Sequence, residues 1–180
     1  MPQRPIEERD AVAPRAKQPD AAVAAGVRFR VGGDADVPAV VPLINEAYLR
    51  EAWLLPPPRT TVDDLRDELR APGAALLIAE VDGALAGCVR IRQRERDTYF
   101  GLLAVAPAQQ GRGLASLIVA KIEEIARKAG LEAVRLDCAK ENNLPPLYES
   151  MGYVIEREET DAYYGTKGPI TVCHMKKELR

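Results

Sequence analysis

Residues 102–115 read Leu-Leu-Ala-Val-Ala-Pro-Ala-Gln-Gln-Gly-Arg-Gly-Leu-Ala. The apolar start is typical of a strand end, and the longest predicted helix runs from about Gly113 to Ala129. The first turn of a helix has N–H groups without intrahelical acceptors and carries about half a positive charge. Gly111 and Gly113 allow the backbone to close around an anion, and Arg112 adds a cation. This stretch therefore predicts a strand, a phosphate-binding turn and a helix in direct succession.

Three kinds of nucleotide-binding turn compete for this stretch. A Walker loop ends in Gly-Lys-Ser/Thr, whereas a leucine follows Gly113. A dinucleotide fingerprint needs a glycine or alanine where Ser116 stands and an acid about 20 residues further on, for which Asp137 is a poor match. The pattern Gln/Arg-x-x-Gly-x-Gly/Ala is met by Gln110, Gly113 and Ala115. A plain glycine turn before a core helix is the alternative without a ligand.

A second motif follows downstream. Residues 136–138, Leu-Asp-Cys, lead to Asn142 and Asn143, and residues 147–153 read Leu-Tyr-Glu-Ser-Met-Gly-Tyr. Together with the first motif, this order resembles the GCN5-related N-acetyltransferase superfamily. One residue fewer than usual separates the asparagine from the tyrosine, and a Pro-Pro pair replaces the usual turn. Which of the two asparagines takes the family's position therefore stays open.

The resemblance covers residues 74–176 and implies a reaction. Members of the superfamily bind acetyl-CoA where two central parallel strands splay apart, and an amine attacks the thioester directly in a ternary complex. Tyr148 stands where the family often places the acid that protonates the departing thiolate, although it could also be a core aromatic. The resemblance implies no metal. The residues expected to bind acetyl-CoA are Leu103, Val105, Gln110, Gly111, Arg112, Gly113, Leu114, Ala115, Asn142 and Asn143.

The order of predicted elements indicates a three-layer α/β fold of mixed α+β character, with helices on both faces of the sheet. The central sheet should have about seven strands and be mixed, mostly antiparallel, with a splayed parallel pair around the long helix. Short helices should start near Asp34 or Asp36, near Thr60 or Thr61, and at Asn142 or Asn143. The predicted strands are residues 27–31, 74–81, 84–92, 98–105, 134–138, 153–158 and 170–176.

Length and charge limit the function classes. At 180 residues and a formal net charge of −2, the chain fits one domain, residues 27–180, after a proline-rich, charged segment, residues 1–26, expected to be a mobile tail. Neither a basic block nor an apolar run of roughly 20 residues is present, so nucleic acid and membrane partners are not expected. Without a targeting signal, a cytoplasmic location is expected. A homodimer is one assembly that the sequence allows.

The acceptor and the base are the least determined parts. The acceptor is expected to be an amine on a small molecule or peptide, held by the irregular stretches 49–59 and 156–168. No acid occupies residues 99–102, so proton removal through ordered water is predicted, with Asp137 and Glu141 as the nearest acids. The cysteines and His174 are expected to be structural. A module that binds acetyl-CoA without turnover is the alternative function.

Overall fold

The computed structural model describes residues 13–161 and 169–179 and contains a seven-stranded sheet in the order β1-β2-β3-β4-β5-β7-β6. Neighbouring strands are antiparallel except for β4 and β5, which run parallel. The predicted mixed, mostly antiparallel sheet is therefore confirmed. The strands are β1 Val27–Gly32, β2 Ala74–Val81, β3 Ala84–Gln93, β4 Asp97–Val105, β5 Ala133–Ala139, β6 Val154–Asp161 and β7 Ile170–Glu178.

Helices cover both faces of the sheet. The α-helices are α1 Ala21–Gly26, α2 Val37–Ala47, α3 Val62–Leu69, α4 Leu114–Lys128 and α5 Pro145–Glu149. Short 3-10 helices occur at Asp34–Asp36, Tyr48–Glu51, Pro107–Gln109 and Lys140–Asn142. Thr61 caps α3, because its hydroxyl accepts a hydrogen bond from the Asp64 amide at 3.2 Å. Within the described residues, no helix is long and apolar enough to cross a membrane.

Two apolar cores lie on opposite faces of the sheet because successive strand residues point in opposite directions. Leu76 and Ile78 of β2 pack with α2 and α3. Leu77 and Ala79 of the same strand pack with α4, α5 and the fully buried Val23 of α1. The sheet is thus the middle layer of three. Three buried free thiols, as predicted, are Cys88, Cys138 and Cys173.

The parallel pair separates halfway along its length. β4 and β5 are in register only from Asp97 with Ala133 to Phe100 with Leu136. Beyond this point the register between β3 and β4 shifts, and Leu102 adopts a positive φ of 54°. Such a bulge bends its strand. The carboxyl ends of the two strands therefore diverge at the place where α4 begins.

The predicted cap of α5 is wrong. Leu144 is the N-cap residue and makes no side-chain capping bond, while Asn143 lies in the left-handed region with φ 53°. Proline follows Leu144 and has no N–H, so one of the amides that a cap would satisfy is absent. The asparagine instead allows a tight turn between the 3-10 helix and α5, since Asn tolerates this backbone conformation.

Candidate active site

The glycine-rich turn presents a row of free backbone amides. Gly111 and Gly113 have φ values of 75° and 81°, a conformation that is costly for residues with a side chain. The amides of residues 111–116 donate to no carbonyl group of the described chain. Gln110 steadies the turn by donating its Nε2 to the Val105 carbonyl at 3.0 Å. The turn can therefore bind an anion through its main chain.

A cavity of about 580 Å³ opens in front of this turn. It extends along β4 past Leu103 and Val105 and reaches the short helix α5. Every predicted site residue except Arg112 lines it. These residues are Leu103, Val105, Gln110, Gly111, Gly113, Leu114, Ala115, Asn142, Asn143 and Tyr148. The two sequence motifs, which lie on different elements, thus meet around one elongated space.

The guanidinium of Arg112 is bonded to two other side chains. It donates to Gln109 Oε1 at 2.7 Å and to Asp20 Oδ2 at 3.2 Å. These bonds turn the side chain away from the cavity, and Arg112 is not among the lining residues. The prediction of a cation at this position was reasonable from the sequence. The motif does not reveal that Asp20, 92 residues away, provides a nearby carboxylate. The backbone amide of Arg112 remains part of the turn, so its cofactor contact stays a prediction.

An N-terminal strap, defined as residues 13–20, passes next to the glycine-rich turn and the first turn of α4. Ser116 Oγ donates to the Lys17 carbonyl at 3.1 Å, and the Asp20 amide donates to the Arg112 carbonyl at 3.1 Å. These contacts belong to the segment 1–26 that was expected to be a mobile tail, of which residues 13–26 are described. The composition of the segment did not predict them, because the acceptor and donor groups lie about 100 residues further along the chain.

A second cavity of about 260 Å³ lies on the other side of the splayed strands. Its lining includes Arg59, Tyr99 and Asp137. Five residues line both cavities and therefore mark their junction: Tyr48, Glu51, Leu103, Leu144 and Tyr148. Two ligands, one in each cavity, would meet at this junction. Of the stretches expected to hold an acceptor, residues 49–59 contribute to both cavities, whereas Tyr163 and Tyr164 lie outside the described residues.

Tyr148 is a largely buried residue at the junction of the two cavities. Its ring is 7% exposed and packs against Phe100 and Tyr153, with centroids 6.0 Å away in each case. Burial raises the pKa of Tyr148, and the neighbouring Tyr48, Cys138 and Glu51 raise it further. The phenol therefore stays protonated throughout the physiological range and can donate a hydrogen bond or a proton.

Glu51 is a site residue that the sequence analysis missed. It ends a 3-10 helix and lines both cavities. Burial raises the pKa of Glu51, while Arg59 and Asn142 oppose this rise. A carboxylate with a raised pKa in a cleft is a candidate proton acceptor. Glu51 lies in no motif, and an acid between Tyr48 and Trp53 in an irregular stretch was the only available signal.

The two acids proposed from the sequence differ in environment. Asp137 lines the second cavity, is bonded to His174 Nδ1 at 2.7 Å and accepts from the Tyr99 hydroxyl at 3.2 Å. Glu141 accepts a hydrogen bond from the Thr171 amide at 2.8 Å. Burial alone would raise the pKa of Glu141, but hydrogen bonds from backbone amides keep this pKa below its usual value. Glu141 thus stabilises the turn before α5, and Asp137 shapes the second cavity.

Cys138 is not poised as a nucleophile. Burial raises the pKa of its thiol to about 12, and the neighbouring Cys173 and Asp137 add to this effect. The thiolate is therefore scarce at neutral pH. In the described part of the chain, no group of three His, Cys, Asp or Glu residues could hold a metal ion. The arrangement favours acid–base chemistry between two bound ligands over a covalent intermediate on cysteine.

Comparison with known proteins agrees with this geometry. Residues 40–153 match the sequence model of the Acetyltransferase (GNAT) family. No curated protein sequence matches the chain.

Several solved structures share the fold. Spermidine N-acetyltransferase from Vibrio cholerae, in complex with CoA and spermine, is 19% identical with a TM-score of 0.71, over 86% of this chain and 96% of that one. The ribosomal-protein-S18-alanine N-acetyltransferase from Escherichia coli is 17% identical with a TM-score of 0.71, over 85% and 94%. The protein yncA from Salmonella typhimurium, solved with its cofactor acetyl-CoA, is 19% identical with a TM-score of 0.67, over 86% and 95%.

Proposed function

This chain belongs to the acetyltransferase (GNAT) family, and from that premise we propose that it transfers the acetyl group of acetyl-CoA to an amine in a ternary complex. The observation that carries the proposal is the junction of the two cavities at Glu51 and Tyr148. In this proposal acetyl-CoA occupies one cavity and the acceptor the other, so that the amine and the thioester would meet beside both groups. Holding two reactants in this way supplies much of the rate enhancement.

Acetyl-CoA would occupy the larger cavity. The free amides of residues 111–116 would bind its pyrophosphate, supported by the positive end of α4. Its pantetheine arm would extend along the exposed edge of β4 at Leu103 and Val105, where β5 has diverged. The thioester would then lie next to Tyr148 at the junction of the cavities.

The reaction requires two proton movements. The neutral amine nitrogen forms a bond to the thioester carbon, and the carbon–sulfur bond breaks as the tetrahedral intermediate collapses. The thiolate that leaves takes a proton from the hydroxyl of Tyr148. Glu51 takes the proton that the amine loses, directly or through water, since its raised pKa brings it closer to neutral pH. No proton is left over, because Glu51 and Tyr148 exchange theirs with solvent after each turnover.

The acceptor cavity suits an amine. Its lining carries the acids Glu51, Glu68 and Asp137 together with the ring of Tyr99. Two arginines line the same cavity, but Arg90 is paired with Glu68 at 2.8 Å, and Arg59 lies over the Tyr48 ring, 5.1 Å from its centroid. Carboxylates and an aromatic ring attract a cationic amine before it is deprotonated. We therefore expect a small molecule or peptide that carries a primary amine.

The direct test measures thioester consumption by the purified protein with a panel of amines. We expect acetyl-CoA to be consumed with at least one polyamine, amino acid or peptide amine, and the product to carry one acetyl group by mass spectrometry. Binding of acetyl-CoA by calorimetry without turnover on any amine would instead identify a non-catalytic binding module. Failure to bind acetyl-CoA would contradict both functions.

The pyrophosphate assignment predicts the effect of Gly113→Asp. A side chain at this position would bring a negative charge to the phosphate site, and its Cβ would lie 2.5 Å from Pro19 Cα in the strap. We expect calorimetry to show acetyl-CoA binding weakened by at least about tenfold, or 1.4 kcal/mol. Gly83→Asp is the matched control, because Gly83 also has a positive φ of 79° but has nothing within 4 Å of its Cβ position. Equal affinities in the two variants would refute the assignment.

A further inference from the structure

Two cations of the N-terminal strap face the larger cavity. Arg15 and Lys17 line it together with the glycine-rich turn. Lys17 Nζ lies 3.6 Å from the position that a Cβ atom would take on Gly111. Both side chains are exposed, and neither forms an ion pair with any described residue. They are therefore free to bind a ligand in that cavity.

The strap is fixed through its main chain rather than through these side chains. The Lys17 carbonyl accepts from Ser116 Oγ at 3.1 Å, and the Ala16 amide donates to Ser150 Oγ at 2.7 Å. On the far side of the strap, Val23 of α1 is fully buried in the core. The bonds on either side of Lys17 fix the direction in which Arg15 and Lys17 project. Exchange of either side chain leaves these attachments intact.

A pyrophosphate is negatively charged, and a site that binds it is expected to supply a cation. Free amides bind the oxygens of a pyrophosphate but carry no full charge, and phosphate sites usually add a cation. Arg112, which the sequence motif offers for this purpose, is held by Asp20 and Gln109 outside the cavity. The basic residues that do line the cavity are Arg15, Lys17 and Arg50. The strap thus supplies two of the three.

We propose that Arg15 and Lys17 bind the phosphate groups of coenzyme A, so that the N-terminal strap is part of the cofactor site. The inference rests on the proposed function, because it assumes that acetyl-CoA occupies the larger cavity. Lys17, which reaches the turn at Gly111, binds the pyrophosphate. Arg15 lies two residues earlier in the strap and contributes to the same negatively charged part of the cofactor.

The experiment compares Arg15→Gln, Lys17→Gln and the double variant with the wild type, using coenzyme A as the probe in calorimetry. Each single variant should bind it about three- to tenfold more weakly, and the double variant about thirtyfold more weakly. The difference between wild type and double variant should shrink as the salt concentration rises, since salt screens exposed charges. The weaker binding should also appear as a higher KM for acetyl-CoA, in the same order among the three variants.

Arg28→Gln is the matched control, because it removes the same charge from an exposed position on β1 that lines neither cavity. Coenzyme A binding by the double variant that equals binding by Arg28→Gln would overturn the inference and leave the proposed function intact. If the wild-type protein itself did not bind coenzyme A, the proposed function would fail and the inference with it. Equal unfolding temperatures of all variants would show that the strap side chains act on the ligand alone.

Discussion

Replacement of Tyr148 by phenylalanine is expected to lower turnover by about 10²-fold while acetyl-CoA affinity stays unchanged. The substitution removes one oxygen atom and keeps the ring that packs against Phe100 and Tyr153. Without the hydroxyl, the thiolate must leave unprotonated or take its proton from water. Steady-state kinetics with the best acceptor, together with calorimetry for acetyl-CoA, measure the two quantities separately.

Tyr153→Phe is the control for packing. Tyr153 belongs to the same aromatic cluster, but its hydroxyl lies 3.3 Å from Glu123 and it lines neither cavity. Its loss should change turnover by no more than a few-fold. Equal effects of the two substitutions would mean that Tyr148 serves only to pack the core. An unchanged rate in a folded Tyr148→Phe variant would lead to the same conclusion.

Glu51→Gln is expected to reduce kcat/KM by about 10²-fold or more, which is within the range for one acid–base group. The wild-type rate should rise with pH as Glu51 loses its proton. This rise should occur above the usual glutamic acid range, because burial raises the pKa of Glu51. Glutamine cannot accept a proton. The variant should therefore keep only the increase that accompanies deprotonation of the free amine, at a pKa near 10.

Asp137→Asn and Glu141→Gln are the matched controls, since each removes one carboxylate near the same motif. Each variant should lose less than about tenfold in kcat/KM, or 1.4 kcal/mol of transition-state stabilisation. Asp137 is already hydrogen-bonded to His174 and Tyr99, and Glu141 already accepts a hydrogen bond from the Thr171 amide. A pH profile of Glu51→Gln that matches the wild type would restore the prediction made from the sequence, in which ordered water alone removes the proton. A loss of several hundredfold in Asp137→Asn would identify Asp137 as the base.

Local patterns predicted most of the fold and the position of the glycine-rich turn within it. Asp82 and Gly83 tolerate a positive φ and separate the two strands predicted at residues 74–81 and 84–92. The structure places these strands at Ala74–Val81 and Ala84–Gln93. The residues proposed to bind the cofactor on β4 and α4 follow one another in the sequence, so one motif was enough to predict that they lie together. Such features depend on contacts between residues that are close along the chain.

Features that depend on distant contacts could not be predicted from the sequence. Arg112 was assigned to the cavity because the motif does not reveal that Asp20 lies beside it. The pKa of Glu51 is raised by burial, and the sequence does not show which elements bury this side chain. The strap appeared to be a tail because its partner Ser116 is 99 residues away from Lys17. In each case the deciding contact joins residues that are far apart in the sequence.

The attachment of the strap also has a consequence for the order in which the protein forms. The strap is synthesised before the Ser116 and Ser150 hydroxyls that hold it, which lie 99 and 134 residues further along the chain. Closing such a long loop is entropically costly until the intervening chain has folded. We therefore expect the strap to dock after the chain that follows it has folded, so that the proposed coenzyme A site is completed late in folding.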